Sequence, residues 1–91
     1  MPTVLLTVLL VDDRAAVRRG LRMRLALEPD LAIVGEACDG AAALALVPMV
    51  RPDVVLVDVA MPGMDGIAAT AALRARAPRT AVVVLSIHDD A

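Results

Sequence analysis

Two adjacent carboxylates, Asp12-Asp13, close the first apolar run of this chain, and a third, Asp58, closes the run Val54-Val55-Leu56-Val57. A hydroxyl, Ser86, comes directly after a fourth apolar run, Ala81-Val82-Val83-Val84-Leu85. If the runs are parallel strands of an open α/β sheet, ligands bind outside their carboxyl ends, at the point where strand order reverses. With order 2-1-3-4 that point lies between strands 1 and 3. Asp12, Asp13 and Asp58 then share one crevice, with Ser86 beside them. Three carboxylates this close repel one another and do not all stay ionised unaided. Mg²⁺ answers that repulsion: it prefers oxygen ligands, keeps several waters and takes phosphate oxygens. In such a site Asp58 is a nucleophile toward a phosphoryl group, the product is an aspartyl phosphate, and the Ser86 hydroxyl can hydrogen-bond a phosphoryl oxygen.

The elements that must position these groups are legible. Val4–Val11 reads as a strand buried on both faces. A helix is expected from about Ala15 to Leu27, with Val17, Leu21 and Leu25 as its apolar stripe and Arg14, Arg18 and Arg22 as a solvated charged stripe beside it. Pro29-Asp30 breaks it. Leu31–Ala37 reads as a second, less apolar strand. Asp39 suits the N-cap of a helix over Ala41–Val47, which Pro48 should end or kink. Arg51-Pro52-Asp53 reads as a turn into the third strand, Val54–Asp58. Asp65 suits the cap of a helix to about Arg76, and Ala81–Ser86 is the fourth strand. Strands alternating with helices imply a parallel sheet covered on both faces, an α/β doubly wound architecture. Cys38 reads as a small, partly buried residue, and Met61 and Met64 as packing residues. Gly63 and Gly66 read as serving backbone geometry, and His88 as exposed near the end of the chain.

Composition bounds the partners. The 91 residues are 59% apolar yet contain no Phe, Tyr or Trp, so the core is built from Val, Leu, Ile, Ala and Met. The length suits one domain, residues 1–91. A net charge of −2, from 11 acidic and 9 basic residues, gives no reason to expect nucleic-acid binding by this chain. The single Cys38 has no disulfide partner, which suits a reducing cytoplasm. The N-terminal apolar run lacks a basic flank and is too short to span a bilayer, so neither a signal peptide nor a membrane anchor is expected.

The motifs Val8-Leu9-Leu10-Val11-Asp12-Asp13, Arg51-Pro52-Asp53-Val54-Val55-Leu56-Val57-Asp58 and Met61-Pro62-Gly63-Met64-Asp65-Gly66, in that order and spacing, resemble the response-regulator receiver domain. With Val84-Leu85-Ser86-Ile87-His88-Asp89-Asp90, the chain is similar to receivers that carry a helix-turn-helix output domain. The resemblance implies a flavodoxin-like receiver fold of strand order 2-1-3-4. It implies Asp12 and Asp13 as the Mg²⁺-binding acidic pair and Asp58 as phosphoacceptor and metal ligand. Ala60 would lend the metal its backbone carbonyl, and Ser86 would be the switch hydroxyl. The implied phosphate donor is a sensor histidine kinase, and the implied role is a two-component phosphorelay module, not an enzyme.

Against the family pattern, the fifth strand, its terminal lysine, its aromatic switch residue and the last helices are missing, so the expectation is an incomplete receiver. The chain has no Lys at all, and Arg14 is the positive charge beside the acidic pair. With strand 4 outermost, self-association through its edge is expected. The alternative is a truncated, non-phosphorylatable fragment acting only by self-association or partner binding. A hydrolase with an aspartyl nucleophile would want a second acid where Ala60 stands.

Overall fold

The computed structural model describes residues 5–58 and 66–85. Among these residues seven elements alternate: β1 (Leu6–Val11), α1 (Ala15–Leu25), β2 (Leu31–Ala37), α2 (Gly40–Val50), β3 (Val54–Asp58), α3 (Gly66–Arg76) and β4 (Ala81–Leu85). The strands form one parallel sheet of order β2-β1-β3-β4. This is the flavodoxin-like arrangement expected from the motifs, with the switch point between β1 and β3.

β1 is central, and its C-terminal half, Val8 to Val11, is buried throughout. A continuous apolar run is what a strand covered on both faces requires. Alternation along the strands divides these side chains between the two faces. Leu9 and Val11, with Val55 and Val57 of β3, pack under Ala43 and Val47 of α2 and Ala69 and Leu73 of α3. Val8, Leu10, Asp12, Leu56 and Asp58 therefore fall on the face that carries α1. That face is less completely covered. α1 has no buried residue, and its stripe of Val17, Leu21 and Leu25 is only half-buried. The register of β1 against β2 shifts between Val8 and Leu9, so that Leu9 pairs with Gly35. A Cβ at Gly35 would stand 3.1 Å from the Leu9 Cδ1, a close approach that glycine relieves.

Several sequence expectations need correcting. α1 stops at Leu25, and Ala26 and Leu27 form a turn. α2 passes through Pro48 and ends at Val50. The proline sits in the last turn, so only one intrahelical bond is forfeited. The helix closes at Arg51, which takes the left-handed conformation (φ 47°, ψ 60°) and donates its N–H to the Val47 carbonyl. Asp39 does cap the helix, accepting from the Ala42 N–H at 2.7 Å. β1 begins at Leu6 among the described residues, and Val4 lies outside them. β4 is described as far as Leu85.

Asp53 is more than a turn residue. Its carboxylate accepts from the Thr7 N–H (2.8 Å) and hydroxyl (3.1 Å), its N–H reaches the Thr7 carbonyl (2.9 Å), and its carbonyl accepts from the Ala81 N–H (2.9 Å). One residue thus ties the N-terminal ends of β1, β3 and β4 together. Nor is the arginine stripe on α1 merely solvated. Glu36 of β2 receives Arg18 at 3.2 Å and Arg22 at 2.5 Å, which fastens α1 to the outer strand. The two guanidinium groups, Arg22 first, hold the Glu36 carboxyl below the ordinary carboxylate range.

Candidate phosphoacceptor and metal site

The carboxyl end of β1 delivers Asp12 and Asp13, and the carboxyl end of β3 delivers Asp58. The Asp12 N–H still donates to the Ala37 carbonyl of β2 at 3.1 Å, so the first acid is held in the sheet ladder as the strand gives way to α1. Carboxylate oxygens of Asp12, Asp13 and Asp58 all lie within 4.8 Å of one another. The structure therefore brings together the three acids singled out in the sequence. Asp12 and Asp58 are buried, 2% and 5% exposed, whereas Asp13 faces solvent. Ala60, Ser86, Asp65 and His88 lie outside the described residues, as does the loop containing Met61, Pro62, Gly63 and Met64. Cys38 is exposed, not partly buried.

Two charges buried side by side are costly, and the electrostatics record it. Burial pushes the Asp12 carboxyl above the ordinary carboxylate range. The Asp58 charge pushes the same way, while the backbone N–H and the charge of Arg14 oppose them. The Arg14 N–H donates to Asp12 Oδ1 at 2.8 Å. Its guanidinium lies 3.5 Å (Nε) from that oxygen and 3.2 Å (Nη2) from Asp58 Oδ2. The Asp12 carbonyl accepts from Arg18 Nη1 at 2.5 Å. The donor set is all oxygen, mostly anionic, and open on the Asp13 side. That matches a small hard divalent cation that keeps some of its waters, and not a soft metal, which wants thiolate or imidazole.

A separate concavity lies elsewhere among the described residues. A cleft of about 510 Å³ opens at the other end of the sheet, between the C-terminal ends of α2 and α3, bordered by Arg51, Asp53, Arg76 and Arg79. Asp12, Asp13 and Asp58 do not line it.

Comparison with known proteins decides the family. Residues 8–91 match the family described as response regulator receiver domain. The chain belongs to that family, the receiver domains of two-component response regulators. It is 42% identical over 83 residues to the transcriptional regulatory protein DegU of Brevibacillus brevis, which covers 91% of this chain and 35% of that protein. It is 45% identical over 83 residues to a protein-glutamate methylesterase/protein-glutamine glutaminase of Anaeromyxobacter dehalogenans, which covers 91% of this chain and 24% of that protein. Among solved structures, the signal receiver domain of the putative response regulator NarL from Mycobacterium tuberculosis superposes with a TM-score of 0.84 at 43% identity. That match covers 94% of this chain and 69% of that one. The chain thus spans well under half the length of these curated relatives. The receiver is the part shared by relatives whose names describe a transcriptional regulator and a methylesterase. Among the described residues, no helix is long and apolar enough to cross a membrane.

Sequence reasoning missed Glu36. A lone acid in an otherwise apolar strand, opposite a helix with arginines at i and i+4, was the available signal.

Proposed function

We propose that Asp58 of this receiver accepts a phosphoryl group with Mg²⁺ held beside it. The observation that carries the reading is the convergence of three carboxylates at the ends of β1 and β3, with oxygens within 4.8 Å. Asp12, Asp13 and Asp58 would hold the cation, with the backbone carbonyl of Ala60 as a further ligand by family resemblance. Bound there, the cation supplies charge neutralisation between the carboxylates and an incoming phosphoryl group.

The chain's own part is positional. β3 fixes Asp58 at a buried strand end. One of its carboxylate oxygens forms a bond to phosphorus as the P–N bond of a phosphohistidine breaks. The electron pair of that bond returns to the imidazole nitrogen, which takes up a proton from solvent. Ser86, again by resemblance, would hydrogen-bond a phosphoryl oxygen. The donor is a sensor histidine kinase, residues 1–91 act as one receiver unit, and the setting is cytoplasmic. The intact acidic cluster speaks against a fragment that cannot be phosphorylated.

Intact-mass analysis after incubation with Mg²⁺ and a small-molecule phosphodonor tests the reading, with Asp58→Asn in parallel. The parent should gain one phosphoryl group and the variant none. A folded parent that gains none, or a variant that gains as much, overturns it.

β4 is the outermost strand of the described sheet, and its Val83 and Val84 are more than two-fifths exposed, at 43% and 42%. An apolar outer strand presents unpaired backbone groups to another chain. The 91-residue chain is accordingly expected to self-associate through β4. Sedimentation should show dimers whose population falls on Val83→Lys. A monomer at millimolar concentration would contradict this.

A further inference from the structure

Arg14 occupies a singular place. Its backbone starts α1, its side chain is half exposed, and its guanidinium reaches back to bridge two buried carboxylates, Asp12 and Asp58. Arg18 and Arg22, its neighbours along the helix, are engaged elsewhere, with Glu36 and the Asp12 carbonyl. Among the described residues, Arg14 is the side chain whose guanidinium forms ion pairs with the carboxylates of the acidic cluster.

The guanidinium and a divalent cation answer the same oxygens. Mg²⁺ binds carboxylate oxygen at about 2.0–2.1 Å. An arginine nitrogen 3.2 Å from Asp58 Oδ2 and another 3.5 Å from Asp12 Oδ1 lie within the space that a hydrated cation needs. Positive charges a few ångströms apart repel, and close to a buried pair that repulsion is only partly screened. The side chain has solvent to move into, and the start of α1 stays held without it. It is 51% exposed, and its backbone N–H keeps its own bond to Asp12.

We infer that Arg14 is the resident counter-ion of the acidic site: it holds Asp12 and Asp58 until a divalent cation displaces it, and so sets how much cation the site requires. This rests on the phosphoacceptor reading above and adds to it a built-in competitor. Displacement frees a planar cation at the mouth of the site, where its paired N–H groups suit a phosphoryl oxygen.

The test is calorimetric titration of the 91-residue chain with MgCl₂ at low ionic strength, comparing the parent with Arg14→Met and Arg14→Lys, each checked for folding by circular dichroism. Met keeps the apolar stem and removes the charge. Lys keeps a charge but loses the fork that spans two carboxylates. Mg²⁺ should bind Arg14→Met about three- to tenfold more tightly than the parent, with Arg14→Lys between them. Without Mg²⁺, Arg14→Met should melt below the parent, and saturating Mg²⁺ should close the gap. A purely structural arginine would lower the melting temperature without tightening Mg²⁺ binding. Equal or weaker binding by folded Arg14→Met overturns the inference and leaves the phosphoacceptor reading standing. If Arg14→Met does not fold, an Arg14→Lys affinity equal to the parent's overturns it likewise. No Mg²⁺ binding by either parent or variants overturns both.

Discussion

Asp12→Asn is expected to weaken Mg²⁺ binding by about tenfold or more while leaving the cation-free fold at least as stable as the parent at neutral pH. The two halves of that result have one cause. Asp12 is buried at 2% exposure within reach of the buried Asp58, and its carboxyl is pushed above the ordinary range, first by burial and then by that neighbour. A raised carboxyl means that the folded chain holds the proton more tightly than the unfolded chain does. The contribution of Asp12 to stability is therefore greatest where it is protonated. It falls as pH rises from the ordinary value of 3.8 through the raised folded one, and the full penalty applies at neutral pH. Asparagine removes the charge and with it the penalty. It keeps an oxygen for the Arg14 N–H, which donates at 2.8 Å. It does not keep the anionic ligand.

Calorimetric titration with MgCl₂ and thermal unfolding between pH 4 and 8 measure both halves. Relative to Asp12→Asn, the parent should lose stability across the lower part of that range, and saturating Mg²⁺ should restore the parent alone. If Asp12→Asn destabilised the cation-free chain by several kcal/mol and bound Mg²⁺ as the parent does, Asp12 would be a structural acid and not a ligand. The contrast with Asp13 sharpens the test. Asp13 is exposed, so Asp13→Asn should weaken Mg²⁺ binding without the gain in stability.

The strand order and the acidic cluster were both legible because they rest on features that survive in one dimension. A run such as Val8-Leu9-Leu10-Val11 is readable as a doubly covered strand, and residues just past the end of a parallel strand stand at the ligand-binding edge. Helix ends were harder. Pro48 argued for a stop at Val47, but a proline in a final turn costs one bond, and the left-handed Arg51 closes the helix three residues later. Partners across the sheet were hardest of all. Nothing local to Asp53 announces that it faces Thr7, 46 positions away, and nothing local to Glu36 announces Arg18 and Arg22. Those pairings depend on register and on where α1 lies over β2, which are set by tertiary packing. Arg14 is intermediate. Its adjacency to the acidic pair is visible in the sequence, but its reach to Asp58, 44 positions on, is not.

Leu9→Ala should carry a large stability cost, about 2–5 kcal/mol. Leu9 is fully buried in the central strand, on the face that packs beneath α2 and α3 with Val11, Val55, Val57 and Leu73. With no aromatic residue in the chain, no larger side chain stands ready to collapse into the space. A domain of this length has on the order of 5–14 kcal/mol in total, so the change removes a large share of it. Urea unfolding followed by circular dichroism gives the number. Met23→Ala, at a residue 67% exposed, is the control and should move the midpoint by no more than about 0.5 kcal/mol. The geometry supplies a second handle. A Cβ at Gly35 would meet Leu9 Cδ1 at 3.1 Å, so Gly35→Ala alone should crowd the leucine and destabilise modestly. In the Leu9→Ala background the same methyl enters vacated space and should recover part of the loss. The double variant should therefore be more stable than the sum of the two single changes predicts. Strict additivity would mean that the two residues do not share that space, and that the register shift between Val8 and Leu9 does not set the packing of the central strand.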